Sequence, residues 1–216
     1  MSSKKTKLVT TALFPPIQYY AHIAFEEKIL IEVNCNYERR TYRNRYLINS
    51  PNGILPLSVP VVKYSGKKVK TKDVEISYNT PWNEIHWKSI TAAYNSSPYF
   101  QYYKDDLLPL FTKRWKLLAE LNSEALKIVN EAIDSDTVAH HTKEFIPGKN
   151  SFCDMRSLIY PKKSVAKKIS FTPQPYRQLF KGAENFIPNL SILDLLFNKG
   201  PESLLILRDS ITKTDN

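Results

Sequence analysis

Apolar residues follow two different rhythms along the chain. In the first third they come in short β-branched or proline-containing runs between polar turns, the pattern of strands. LVTTAL at 8–13 predicts a first strand, and Pro15-Pro16 opens a short helix through about Phe25, because proline presets φ and lacks the N–H that a first helical turn leaves unused. KILIEV at 28–33 predicts a second strand. YRNRYLI at 42–48 and ILPLSVPVV at 54–62 predict two more, around the turn Ser50-Pro51-Asn52-Gly53. Pro56 and Pro60 cannot donate to a ladder, which places the latter run at a sheet edge or in a bulge. A basic hairpin tip at 64–72 leads to a further extended segment, VEISY, at 74–78.

The later rhythm is helical. Thr80 is a candidate N-cap with Pro81 at the first helical position, and the helix runs to about Tyr94. Ser96-Ser97-Pro98 breaks it. A second helix is predicted over 105–120 and a third over 123–133, with Leu126, Val129 and Ile133 at helical spacing. Residues 134–175 are the least regular; with Pro147-Gly148 and the basic stretch PKKSVAKK at 161–168 they read as a lid-like or poorly ordered loop. LSILDLLFN at 190–198, stopped by Gly200, and PESLLILRDSI at 201–211 close the chain as helices. Strands first and helices later predict an α+β fold, a mixed N-terminal sheet packed by C-terminal helices, with α/β as the alternative because the opening order is β-α-β.

Composition narrows the picture. The 216 residues fit a single domain over 1–216 with flexible ends at 1–7 and 212–216, and a chain of this size buries roughly 70% of its unfolded surface without a metal or disulfide. Cys35 and Cys153 form no short-spacing motif, so no metal site is predicted, and five glycines leave no Gly-rich nucleotide loop to name a cofactor. No apolar run approaches the ~18 residues of a membrane span, and the opening MSSKKTKLVTTALFPP reads as a cytoplasmic N-terminus rather than a signal peptide. Charge is uneven: residues 1–72 hold 13 Lys+Arg against 4 Asp+Glu, and residues 73–216 hold 18 against 17. A basic third either attracts anions or is simply a solvated face.

Several segments are denser in unusual residues than a core requires: Phe14-Pro15-Pro16-Ile17-Gln18-Tyr19-Tyr20, Thr41-Tyr42-Arg43-Asn44-Arg45, His86-Trp87, Ala93-Tyr94 with Ser97-Pro98, and Leu190-Ser191-Ile192 with Asp194-Leu195-Leu196-Phe197-Asn198 and Gly200. In this order, from Phe14 to about Gly200, they resemble the WbqC-like protein family. The resemblance implies a bacterial protein, a place in surface polysaccharide (O-antigen) synthesis for some members, and a transferase attaching glycine to a sugar.

Acyl transfer to an amine or hydroxyl needs a base, donors for the developing oxyanion, and a grip on an anionic carrier. His86 is the base candidate, since imidazole titrates near neutrality; the alternative reading is a partly exposed helix histidine stacked on Trp87. Asp194 lies in an apolar helix, where a carboxylate is costly unless paired; it orients His86, pairs with Arg45, caps backbone groups or joins a structural ion pair. Arg43 and Arg45 alternate with Tyr42 and Asn44 on one predicted strand, which puts both guanidiniums on one face as a forked anion clamp or as a plain basic surface. Gln18 and Tyr19 follow a strand end, where α/β sheets place ligand clefts, or form an aromatic packing corner. Tyr176 and Gln178 line the same cleft if the late loop folds over it, and Tyr94 and Asn198 complete the substrate-contact set. Cys35 is a nucleophile beside a basic strand or a small core residue, and Cys153 likewise. The expected partner is an anionic small-molecule substrate or carrier. No nucleic-acid motif is present, and peripheral membrane contact through the basic face stays open. Two functions compete: a transferase whose one cleft is shared by Gln18, Asn44, Arg45, His86 and Asp194, and a non-catalytic protein that binds an anionic partner, nucleic acid or membrane, in a salt-dependent way.

Overall fold

The computed structural model describes residues 5–64, 68–148, 151–157, 159–161, 170–180 and 186–211. In chain order the elements are β1 (Lys7–Thr10), α1 (Ile17–Ile23), β2 (Lys28–Glu32), β3 (Arg45–Ser50), β4 (Gly53–Ser58), α2 (Trp82–Tyr94), α3 (Phe100–Leu107), α4 (Pro109–Thr112), α5 (Leu118–Ala132), β5 (Val138–His141), β6 (Cys153–Asp154), α6 (Ile192–Lys199) and α7 (Ser203–Asp209). β1 and β2, joined through α1, pair in parallel with Leu8 opposite Leu30. β5 adds to β2 and β6 to β1, also in parallel, which gives the order β5-β2-β1-β6. β3 and β4 form a separate antiparallel hairpin. The fold is α+β, as the strand-then-helix pattern predicts.

The departures from the predicted elements have local causes. The first strand ends at Thr10 rather than Leu13, because Phe14 takes a positive φ of 41° and swings the chain into Pro15-Pro16. The third begins at Arg45, so Tyr42, Arg43 and Asn44 precede it. Pro56 sits opposite Leu47 in the two-stranded hairpin, where its missing N–H can face away from the ladder. The predicted helix over 105–120 is three pieces, because Pro109 cannot continue α3 and instead starts α4. The region read as irregular supplies both outer strands of the parallel sheet; β5 (VAHH) has no period-two pattern and β6 has two residues, so neither has a strand signature. Lys7, expected in a flexible end, opens β1 and pairs with Glu26 at 2.9 Å. Residues 1–4, 212–216 and 162–168 of the basic stretch lie outside the described residues.

The helices pack the sheet and hairpin into one core that includes Leu13, Tyr20, Ile29, Ile48, Tyr94, Leu193 and Phe197. Residues Ile192–Asn198 of α6 are all buried, so this helix is apolar nearly all round and lies inside the molecule. It ends at Gly200, whose φ of 53° and closeness to Tyr99, with a ring carbon 2.5 Å from where a Cβ would stand, admit no side chain. Parallel pairing aims the carboxyl ends of β1, β2 and β6 at one edge of the sheet. The connection leaving β5 crosses to the far side of β1, which makes this edge the kind of place where open parallel sheets form clefts.

Candidate functional site

Glu32 closes β2 and is fully buried. Its Oε1 accepts the backbone N–H groups of Asn34 (2.7 Å) and Cys35 (3.1 Å) and the Thr142 hydroxyl (3.1 Å). Its Oε2 accepts the Ile146 N–H at 2.8 Å and faces Arg156 Nη1 at 3.6 Å. A buried carboxylate persists only with such a complete set of donors. This one ties together the turn after β2, the segment after β5 and the segment after β6. Arg156 is pinned in turn: Nε donates to Asp154 Oδ1 at 2.9 Å, Nη1 to the Ile146 carbonyl at 2.7 Å, and Nη2 pairs with Asp154 Oδ2. The Asp154 hydrogen bond, above all, holds its guanidinium above the ordinary arginine range, with Glu32 and Cys35 adding to it electrostatically against the opposing effect of burial.

The turn held by Glu32 presents Cys35. Its half-buried sulfur lies 3.4 Å from Thr71 Oγ1 and accepts from Arg43 Nη2 at 3.7 Å. Arg43 is 6% exposed. Its Nη1 donates to Thr41 Oγ1 at 3.2 Å and lies 3.5 Å from the exposed Glu38 carboxylate, while Nε, itself buried, has no partner among the described residues. Residues 33–37 run alongside 69–72, with Tyr37 N–H donating to Val69 O at 2.8 Å and Thr71 N–H to Cys35 O at 2.8 Å. That contact sets the exposed Lys68, Lys70 and Lys72 near the exposed Arg39 and Arg40, so part of the basic charge of the first third gathers beside this turn. A cleft of about 380 Å³ opens here, lined by Cys35, Glu38, Arg43, Arg156, Ser157 and Tyr160.

Residues 11–167 and 157–206 match the model of the WbqC-like protein family, a span that takes in every residue lining the cleft. The chain belongs to the WbqC-like protein family. It is also similar to the uncharacterized protein Rv1507c of Mycobacterium tuberculosis (strain ATCC 25618 / H37Rv), 26% identical over 230 residues that cover 95% of this chain and 98% of the relative. No solved structure matches it. Among the described residues of this WbqC-like protein no helix is long and apolar enough to cross a membrane, and no group of three or more His, Cys, Asp or Glu side chains could hold a metal ion.

The predicted site residues fall into separate groups. Asp194, Tyr94, Tyr176, Gln178 and Asn198 do meet. Asp194, fully buried, accepts from Tyr94 Oη (2.9 Å), Tyr176 Oη (2.6 Å) and Gln178 Nε2 (2.9 Å), and Asn198 Nδ2 donates to its backbone carbonyl (2.7 Å). These hydroxyl and amide partners replace the expected pairing with Arg45 or His86. His86 is buried against Tyr46, whose hydroxyl lies 3.0 Å from Nδ1, and against the edge of Trp82 rather than Trp87. His86 and Tyr94 are eight residues apart on α2, about 12 Å along the axis, so Asp194, which binds Tyr94, does not orient the imidazole. Gln18 is bound to Asn189, and the Tyr19 hydroxyl donates to Thr10 O at 2.8 Å. Tyr42 is half-buried, and Asn44 Nδ2 donates to Val59 O at 2.8 Å. Arg45 opens β3 opposite Ser58 and does not line the cleft with Arg43, so the two arginines form no clamp. Of the residues singled out from the sequence, Arg43 and Cys35 line this cleft.

Sequence reasoning missed Glu32, Asp154 and Arg156. A carboxylate ending the apolar run KILIE was a usable signal, because burial there demands partners; Asp154 and Arg156 lay in the stretch without periodicity and gave none.

Burial raises the Asp194 carboxyl above its usual range, and the hydrogen bonds from Tyr176, Tyr94 and Gln178 pull it only part of the way back. An acid whose folded value is raised keeps a proton that the unfolded chain releases, so stability falls as pH rises from the ordinary carboxylate value through the raised one. Its contribution to the urea midpoint is expected to decline over that window. In Asp194→Asn that contribution disappears, and a pH profile identical to the wild type's would contradict the assignment.

Proposed function

We propose that this WbqC-like protein is a transferase of bacterial surface polysaccharide or envelope biosynthesis that holds an anionic acyl or aminoacyl donor in the cleft between Cys35, Arg43 and Arg156 for transfer to an amine. The observation that carries this reading is Arg43: a guanidinium more than nine-tenths buried at the edge of a cleft, with the exposed Glu38 carboxylate as its ionic partner among the described residues. Such a cation is suited to a phosphate or carboxylate, which it engages through charge-assisted bonds. The cleft's about 380 Å³ falls in the range of small-molecule sites. Basic residues beside it raise the local concentration of anions. Glu38, exposed on the cleft lining, is the carboxylate available to accept the amine's proton.

Inorganic pyrophosphate is the minimal probe of this site. Calorimetric titration should find binding that weakens with added salt. Arg43→Ala should weaken it roughly 10- to 100-fold, the effect of removing a charged hydrogen bond worth about 1.5–3 kcal/mol, while Arg45→Ala leaves it nearly unchanged. Equal losses in both variants would mean that pyrophosphate senses only the general basic surface, and the cleft would lose its assignment.

A further inference from the structure

Cys35 is not the small core residue that its sequence context allowed. Its sulfur is half-buried and lines the cleft, where Arg43 Nη2 donates to it at 3.7 Å and Arg156 is part of the same lining. The Thr71 hydroxyl stands 3.4 Å away. The backbone is fixed as well, since the Cys35 N–H donates to buried Glu32 and its carbonyl accepts from the Thr71 N–H. A thiol held rigidly beside fixed positive charge, and open to a cleft, has the surroundings in which reactive cysteines are found. Arg43, a buried guanidinium on the same lining whose carboxylate partner among the described residues is the exposed Glu38, is a separate pointer to an anionic ligand at this spot. The other cysteine, Cys153, is exposed on β6 and does not line the cleft, so the molecule contains its own control.

We infer that Cys35 is the nucleophile of the transfer and carries the acyl group as a thioester; this rests on the reading of the cleft as the donor site. The donor class is an acyl phosphate or mixed acyl-phosphate anhydride. Cys35 releases its proton to solvent, and the thiolate attacks the acyl carbon. The bond from that carbon to the bridging oxygen breaks, and the phosphate leaves with the electron pair, its charge met by Arg43 and by the part of Arg156 not engaged by Asp154 and Glu32. The acceptor amine then attacks the thioester, its proton passes to Glu38, and the C–S bond breaks to return the Cys35 thiolate.

Acetyl phosphate, with iodoacetamide as a second probe, tests the step on the full chain. Mass spectrometry after acetyl phosphate should find an acetyl group on Cys35 that neutral hydroxylamine removes; Cys35→Ala lacks it and Cys153→Ser retains it. Iodoacetamide should alkylate Cys35, and excess pyrophosphate should slow that reaction at least tenfold without altering the rate at Cys153. Pyrophosphate protection without a hydroxylamine-labile adduct on Cys35 would remove the nucleophile and leave the donor site standing. Acetylation confined to lysines or to Cys153 would do the same. Absence of both adduct and protection would overturn the nucleophile and the donor site together.

Discussion

Glu32→Ala is expected to destabilise the protein by about 3–5 kcal/mol, the range for breaking a buried charged pair by removing one partner. The loss has two parts. The N–H groups of Asn34, Cys35 and Ile146 and the Thr142 hydroxyl lose their acceptor, and among the described residues Arg156 keeps Asp154 alone as a carboxylate partner. At about 2–4 °C per kcal/mol for a chain of this size, the melting temperature should fall by roughly 10 °C. Glu32→Gln keeps the shape but turns one oxygen into a donor facing an N–H, so it should cost less than alanine while still loosening the cleft. Because Glu32 fixes the turn that presents Cys35, pyrophosphate affinity should fall in Glu32→Gln even at temperatures where the variant stays folded. A loss under 1 kcal/mol in Glu32→Ala, from urea denaturation, would show that the network does not hold the three loops.

Acidification is the second large effect. Burial lowers His86 from 6.5 to about 4, a hydrogen bond from the ring to the Ser58 backbone offsetting only part. Burial, reinforced by the charge on Lys7 and opposed by Glu26, does the same for His22, also to about 4. For a base whose folded value is depressed, the unfolded chain takes up a proton that the native state refuses, so stability is intact above pH 6.5 and lost as pH falls towards 4. At about 1.4 kcal/mol per pH unit of displacement, each histidine accounts for roughly 3 kcal/mol over that window. Asp194 works in the opposite sense, since its raised carboxyl protonates first in the native state. The acid loss should therefore be steeper in Asp194→Asn and shallower in His86→Gln, as read from urea midpoints between pH 7 and 4. A flat profile in the wild type would contradict the burial of both imidazoles. His86 is held neutral in a closed pocket against Tyr46 and Trp82, so on this account it governs stability and is not the base.

The physical signals in the sequence were unequal. Periodicity located β2, the β3–β4 hairpin and α6, because each buries one coherent run: Ile29 and Ile31 in β2, Tyr46 and Ile48 in β3, and nearly every residue of α6. It could not find β5 and β6, which are held by pairing to β2 and β1 rather than by side-chain pattern. The same distinction separates the two polar clusters. Asp194 was visible because a lone carboxylate in an apolar helix must be satisfied, yet its partners proved to be tyrosine and glutamine groups of the core. Arg43 was visible from its place in Thr41-Tyr42-Arg43-Asn44-Arg45, but the inference of a two-arginine clamp assumed a strand that starts only at Arg45. Its actual cleft partner, Arg156, comes from more than a hundred residues away in the chain and is placed by Glu32 and Asp154, a long-range arrangement that no local pattern encodes.

The most direct test is an experimental structure with inorganic pyrophosphate bound. The ligand should lie against Arg43 and Arg156 with an oxygen close to the Cys35 sulfur, the Glu32 network undisturbed beneath it. Pyrophosphate found at Asp194, beside His86 or at Arg45, with this cleft empty, would contradict the account.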